Sequence, residues 1–482
     1  MSVPGDETMN DTKRPRLADS NDRQLAAVVL AAGLGTRMRS DLPKLLHPLC
    51  GRPLLAYALD AVAGVSPERI VVVTATSHDA LAAILPAGVE RAVQAEQLGT
   101  GDAAAAGLAA LGAFEGDVLV VNGDHPLMTA PFIAGLVAAH RGGGASVTLT
   151  SQTFDPRHYG RVVRDEEGRL KGIVEYRDAT PEQRAVVETN VGAYVFAADA
   201  LRRALPRLRS DNDQGEFYLT DAIALLLADG DEVGVYRTDD PAVAQGVNSR
   251  VELALVVAEV RRRLLETLML TGVTIVDPES TYVDWGVEIG RDSVVHPQTH
   301  LQGETRIGAR CEIGPGSVLR DVTVADGASV VQSHLQGCSV GPGATVGPFS
   351  YLRPGTALDE KAKAGAFVEI KNSRVGRDSK VPHLSYVGDT EIGTGTNVGA
   401  GTITANYDGY RKHRTVIGDG VRTGSDTCFV APVTVGDGAY TGAGSVITKD
   451  VPPGALAIAR GRQQNIAGYA ERRAREAEDG SP

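Results

Sequence analysis

The chain has 482 residues, with 48 Lys and Arg against 60 Asp and Glu, four cysteines and a formal net charge of −12. That length exceeds one ordinary core and predicts two domains; the acidic balance argues against general nucleic-acid or membrane binding, while leaving room for anionic ligands held by local Lys, Arg and backbone N–H groups. No apolar run reaches the ~20 residues of a membrane-spanning helix, and Cys50, Cys311, Cys338 and Cys428 lack metal-ligand spacing, so they read as free thiols of a reducing, cytoplasmic compartment.

Residues 1–23 are polar and charged and read as a disordered extension. Residues 24–250 alternate buried-strand runs (Leu25–Leu30, Arg69–Thr74, Asp117–Val121, Ala145–Thr150) with helical stretches (Leu54–Ala63, Thr100–Leu111). Such alternation predicts an α/β, Rossmann-like domain with a mostly parallel sheet. A linker helix follows over 251–271, with Val251, Leu255, Ala258, Leu265 and Leu268 on one face and Gly272 at its end.

From residue 287 aliphatic residues recur in steps of six: Ile289, Val295, Leu301, Ile307, Ile313, Leu319. The register slips and resumes at Val340, Val346, Leu352 and Leu358, then at Val375, Val381 and Val387, at Ile392 and Val398, and over Ile417, Phe429, Val435 and Ile447. A six-residue period is incompatible with the 3.6 of an α-helix. It describes rungs of a triangular coil, each with one inward aliphatic residue and small residues at the corners, stable only when stacked. The second domain, 272–466, is therefore read as a parallel β-helix, and 467–482 as a helical or frayed tail. The period fails from about Thr402 to Thr415, which predicts an excursion from the coil.

Three clusters in the first domain suit a nucleotide. Leu30-Ala31-Ala32-Gly33-Leu34-Gly35-Thr36-Arg37 follows a strand and is joined by Lys44. Its glycines let the backbone approach phosphate and its two cations lie where a triphosphate would. Gly-x-Gly alone could equally open a dinucleotide fold, but the third glycine of that fingerprint is missing. Gln94 offers an amide donor and acceptor to a base edge, and Gly99-Thr100 opens a helix. Asn122-Gly123-Asp124 ends a buried strand, where open α/β sheets bind ligands, and Asp124 suits Mg²⁺. In the second domain Arg353, Lys371, His383, Tyr386 and Asn397 interrupt the repeat. A lone histidine is often structural; a positioned His383 could instead take the proton of an attacking amine.

These motifs, with Tyr159-Gly160-Arg161, Gly172-Ile173-Val174-Glu175, Glu188-Thr189-Asn190 and Gly246-Val247-Asn248, resemble the sugar nucleotidyltransferases. Together with the hexapeptide repeats, nearly the whole chain from residue 24 resembles one bacterial family, the bifunctional N-acetylglucosamine-1-phosphate uridyltransferases/glucosamine-1-phosphate acetyltransferases. The resemblance implies a left-handed β-helix, a homotrimer with no nucleic-acid or membrane partner, and UDP-N-acetylglucosamine as a product for cell-wall and lipopolysaccharide precursors. UTP and acetyl-CoA are the implied co-substrates and Mg²⁺ the cofactor, held by Asp124 and Asn248. Leu30, Ala31, Ala32, Gly33, Lys44, Gln94, Gly99 and Thr100 would contact the uridine nucleotide together with Asn122 and Gly123. Gly160, Glu175, Asn190 and Asn248 would contact sugar or diphosphate. Arg37 and Lys44 would be the catalytic cations of uridylyl transfer, and His383 the base of acetylation. Arg353 and Lys371 would bind the sugar phosphate and Tyr386 and Asn397 would orient the sugar. Ala400, Asn406, Tyr407, Ser425, Ala443 and Arg460 match acetyl-CoA positions. Two other classes share the architecture: nucleotidyltransferases of different sugar or base specificity with a decorative β-helix, and non-catalytic exchange-factor subunits.

Overall fold

A computed structural model describes residues 23–153 and 159–480, and the chain divides into two compact units at Val260/Arg261. The expected N-terminal extension lies outside the described residues except for Arg23. That residue is tied down: its guanidinium lies 3.4 Å from Asp117 and its carbonyl accepts a hydrogen bond from Arg141.

The first unit is built on a nine-stranded sheet: β1 (Leu25–Ala31), β2 (Arg69–Ala75), β3 (Val89–Gln94), β4 (Asp117–Asn122), β5 (Val147–Gln152), β6 (Arg161–Arg164), β7 (Leu170–Val174), β8 (Thr189–Ala197) and β9 (Val233–Arg237). The main path runs β9-β5-β8-β4-β1-β2-β3, and the β6–β7 hairpin attaches to β8. Neighbours pair in parallel except around β8 and within the hairpin. Helices cover both faces of this sheet, so β1 and β4 are near-continuous apolar runs with Ala26, Val28, Val118 and Val120 fully buried. The register sets Leu30 beside Asn122, which brings the ends of the first and third nucleotide clusters together at the carboxyl edge of the sheet.

The long helix runs Arg250–Leu270 and closes with paired bonds from Val273 N–H to Leu268 O and Gly272 N–H to Met269 O, with Gly272 at φ 96°. The expected single apolar stripe is not what it buries. Val251, Leu255 and Ala258 are exposed, while Val256, Val260 and Leu265 are buried. The helix spans the boundary between two units, so no one stripe serves its whole length.

The second unit is a left-handed parallel β-helix. Three parallel sheets of two- to four-residue strands form its faces, each strand pairing with the one about a coil later, as in Val294↔Glu312 and Arg306↔Thr323. The inward positions from Val295 through Leu301, Ile313, Leu319, Leu352, Val381 and Phe429 to Ile447 form one core; Ile289 is partly buried against it. The register slips are five-residue steps, for example Leu319→Val324 and Ile370→Val375, each fitting one inward residue per rung. The stack begins earlier than the period suggests, with Thr274–Ile275 and Tyr282–Val283, because an eight-residue step between Ile275 and Val283 hides the first rungs. Close stacking dictates several glycines: a Cβ on Gly290 would lie 2.5 Å from the Ala309 nitrogen. In the last coils threonines take the inward slots. Thr423 Oγ1 accepts from the Gly399 N–H at 2.7 Å and Thr441 Oγ1 from the Gly424 N–H at 2.9 Å, so these buried hydroxyls are satisfied. Tyr469–Asp479 forms a helix with no buried residue.

Candidate functional site

In the first unit the glycine loop and the β4 end are joined by Lys44. A Cβ on Gly35, at φ 62°, would lie 2.7 Å from Lys44 Cβ, so the second glycine of the loop makes room for the lysine stem. Lys44 Nζ donates to Asp124 Oδ2 at 2.5 Å and to Asn248 Oδ1 at 3.2 Å. Gly123 N–H donates to the Leu30 carbonyl at 2.8 Å, and Val247 N–H to the Asp124 carbonyl at 2.9 Å, which pins both sides of the carboxylate. Asn248 is set by the start of the long helix. Ser249 Oγ accepts from the Glu252 N–H, and the Glu252 carboxylate accepts from the Asn248 N–H at 2.7 Å. Burial raises the Asp124 pKa, but Lys44 and His125 outweigh it and hold the carboxyl below its ordinary value. His125, which the sequence left without a role, is buried against Gly192 and Gly246, and burial lowers its pKa. Arg37 is exposed on the 3-10 turn Thr36–Met38 and Gly33 is exposed beside it, whereas Ala31 and Ala32 are buried.

Gln94 is buried, and its amide nitrogen donates to the Gly99 carbonyl at 3.0 Å and to Asp102 at 2.8 Å. Both donors are thus committed, and the group left for a base edge is the acceptor oxygen alone, a correction to the two-way pairing expected. Gly99, at φ 116°, is required by the loop across from it, since a Cβ there would lie 2.6 Å from the Phe217 carbonyl. Thr100 Oγ1 accepts from the Leu219 N–H. A second group forms around β8: the Asn190 N–H donates to the Gly160 carbonyl at 2.9 Å, and a Cβ on Gly160 would touch the Glu175 carboxylate. Thr220 donates to Glu175 at 3.1 Å.

In the second unit one corner of the prism aligns Ala366, His383, Ala400, Ser425 and Ala443: the carbonyls of the first four accept from the Leu384, Gly401, Asp426 and Gly444 N–H groups, each just after the next member of the row. Arg460 extends the row by donating to the Ala443 carbonyl at 3.0 Å. The histidine and four of the six expected acetyl-CoA positions, Ala400, Ser425, Ala443 and Arg460, therefore form a line along one edge. His383 is exposed at the end of the Lys380–His383 strand. The adjoining face carries Arg353, Lys371 and Tyr386: Lys371 lies opposite Gly388, and Arg353 pairs with Glu369 at 2.9 Å. Gly388 has no room for a side chain, because a Cβ would lie 2.6 Å from both the Tyr386 hydroxyl and the Asn406 amide. Cys428 stands on this face too, in an outward row with Ile403 and Val446.

Asn397 is not brought into this group. It bridges Lys380 and Arg422 on the other face that meets the His383 corner. The excursion leaves the coil later than expected, since Ile403–Ala405 is still a prism strand with Thr404 in the core. It returns at Thr415, and Asp408 closes it by accepting from the Tyr410 and Arg411 N–H groups and pairing with His413 at 2.6 Å. Tyr407 is 61% exposed, so the excursion presents it outward while Asn406 stays buried at the root. Sequence reasoning missed two residues here. Lys412 lies close enough to Lys371 to have its pKa depressed by it, and Asp389 accepts from Lys371 at 3.4 Å.

The fold and these two groups define a nucleotidyltransferase joined to a hexapeptide-repeat acyltransferase. Residues 27–224 match the MobA-like NTP transferase domain, and 286–321 and 414–449 match the bacterial transferase hexapeptide repeat. The bifunctional protein GlmU of Mycolicibacterium gilvum (strain PYR-GCK) is 54% identical over 457 residues, covering 93% of this chain and 92% of its own. That of Mycobacterium tuberculosis (strain ATCC 25177 / H37Ra) is 51% identical over the same shares. This chain belongs to the bifunctional GlmU family and is an enzyme with uridyltransferase and acetyltransferase activities.

Proposed function

We propose that the 272–466 domain acetylates glucosamine 1-phosphate and that the 24–250 domain converts the product, with UTP, to UDP-N-acetylglucosamine and pyrophosphate. The observation that carries this reading is the row His383, Ala400, Ser425, Ala443, Arg460 along one edge, flanked by the Arg353–Lys371–Tyr386 face. An extended thioester laid along the row would bring its carbonyl to the histidine. His383 takes the proton of the sugar amine as nitrogen attacks; the C–N bond forms, the C–S bond breaks and the CoA thiol leaves. Arg353 and Lys371, with Lys412, hold the phosphate. Ala400, Ser425, Ala443 and Arg460 line the row, and Asn406 and Tyr407 reach the cofactor from the excursion.

In the other domain, the sugar phosphate oxygen attacks the α-phosphorus of UTP in line, a P–O bond forms and pyrophosphate departs. The attacking phosphate is already anionic, so positioning and charge suffice without a general base. Arg37 and Lys44 supply charge, Gln94 Oε1 accepts from the base, the Leu30–Gly33 loop, Gly99 and Thr100 frame the nucleotide beside Asn122 and Gly123, and Gly160, Glu175 and Asn190 hold the sugar. Mg²⁺ fits at Asp124 and Asn248, because their oxygens already converge on one positive charge, the Lys44 ammonium. Two protein oxygens underfill an octahedral ion and leave the remaining positions to phosphates and water. When bound, Mg²⁺ neutralises phosphate charge.

We take the working form to be a cytoplasmic homotrimer. The division of Asn397 from Lys371 and Tyr386 by a corner supports this, since a second prism set against that corner would close a cleft over both faces. Among the described residues no helix is long and apolar enough to cross a membrane. The test is coupled turnover: purified protein with glucosamine 1-phosphate, acetyl-CoA, UTP and Mg²⁺ should yield UDP-N-acetylglucosamine by mass. Turnover only of a sugar phosphate that needs no acetylation would favour a nucleotidyltransferase with an inert β-helix.

A further inference from the structure

We propose that Asp389 is a positioning residue for acetyl transfer, tying the sugar-phosphate lysine Lys371 to Asn406 at the root of the excursion. The inference rests on the reading of Lys371 and Asn406 given above. Asp389 Oδ1 accepts from Asn372 Nδ2 at 2.6 Å, and Oδ2 accepts from both Asn406 Nδ2 and Lys371 Nζ, the latter at 3.4 Å. Its side chain is 12% exposed. Burial raises its pKa, but the donors Asn372, Asn406 and Lys371 outweigh it and keep the carboxyl ionised.

Other corner aspartates behave differently. Asp321, at the same corner of an earlier coil and also in the left-handed region (φ 55°), accepts from a backbone N–H, that of Glu304. Asp326 likewise accepts from the Ala309 N–H. Asp389, at φ 50°, instead gathers three side-chain donors. Gly388 before it leaves space for the Asn406 amide to arrive beside the Tyr386 ring. Around it stand Lys371, Arg353 and Lys412; Lys371 first, with burial and Arg353, lowers the Lys412 pKa, while Asp389 raises it. One carboxylate thus fixes a phosphate-binding ammonium and the base of the acetyl-CoA excursion together.

The signature is a cross-effect between substrates. Asp389→Asn keeps a residue type tolerated in the left-handed region but removes the charge and turns one of the two acceptor oxygens into a donor, facing three donors. We expect KM to rise about tenfold for glucosamine 1-phosphate and for acetyl-CoA alike, in line with losing hydrogen bonds to a charged group, with kcat little changed. Uridylyl transfer by the same sample should be unaltered, which reports on folding. Asn406→Ala removes the tie to Asp389 together with the amide's own reach to acetyl-CoA, so its discriminating readout is the sugar: the KM for glucosamine 1-phosphate should rise as well as that for acetyl-CoA. A rise confined to one substrate in either variant, or a fall in kcat at constant KM, overturns the proposal. If Lys371→Ala leaves the KM for glucosamine 1-phosphate unchanged, the site assignment fails beneath it; if that KM rises while Asp389→Asn leaves the KM for acetyl-CoA unchanged, only the positioning role fails.

Discussion

Glu175 shows how one side chain couples burial to chemistry. Burial pushes its pKa up; the Thr220 hydroxyl pulls down, and Asp221, Asp178 and Glu216 push further up, with a net rise above the ordinary carboxylate value. The sign follows: the fold favours the protonated form, so this group's contribution to stability is fullest at low pH and is lost as pH rises through the folded pKa. In the proposed role, with both oxygens accepting from sugar hydroxyls, it works as the carboxylate. The acidic limb of kcat/KM for uridylyl transfer should therefore lie above the range of a free glutamate, and Glu175→Gln should remove that limb and raise the KM for N-acetylglucosamine 1-phosphate. A pH profile of both proteins checks this; an identical limb in the variant would contradict it. The residue also marks a limit of sequence reading. Glu175 was reached through a motif, but nothing in the motif tells that Gly160 lies against its carboxylate and is held there by Asn190; that comes from the backbone bond between β8 and the residue before β6.

At the scale of elements, the prism corner explains an apparent extravagance. Phe349, Phe367 and Leu384 occupy successive coils in the left-handed region, at φ 59°, 58° and 49°. L-residues there cost roughly 1–2 kcal/mol each. All three are more than half exposed, and the two phenylalanines stack at 5.2 Å. Bulky apolar groups at such positions make sense if a neighbouring prism covers them. Replacing Phe349 and Phe367 together by Asp should shift sedimentation from trimer to monomer and lower acetylation while sparing uridylyl transfer; an unshifted trimer would contradict this. The six-residue step made these elements legible because one inward residue per rung is a constraint on every coil. It failed where that constraint is interrupted: at the insertion before Val283, and at Thr404, a polar residue in a core slot. The helix face at Val251, Leu255 and Ala258 failed for another reason, since periodicity reports a stripe and not which unit covers it.

At the scale of the whole molecule, each proposed site is assembled from residues far apart in the chain. Lys44 meets Asn248 across 204 positions, and spacing alone could not join them; the resemblance named them and the parallel sheet brings their loops to one edge. His383 was legible as an interruption of the repeat. Asp389 was not, because an aspartate at a corner looks the same in sequence whether it caps a backbone N–H, as Asp321 does, or collects side chains. The central claim is that the two halves divide the chemistry. It is tested most directly by assaying both reactions separately in His383→Ala and Arg37→Ala, with folding verified by circular dichroism. The account predicts that His383→Ala loses acetylation and keeps uridylyl transfer, and that Arg37→Ala does the reverse. A folded variant that loses both activities would contradict it.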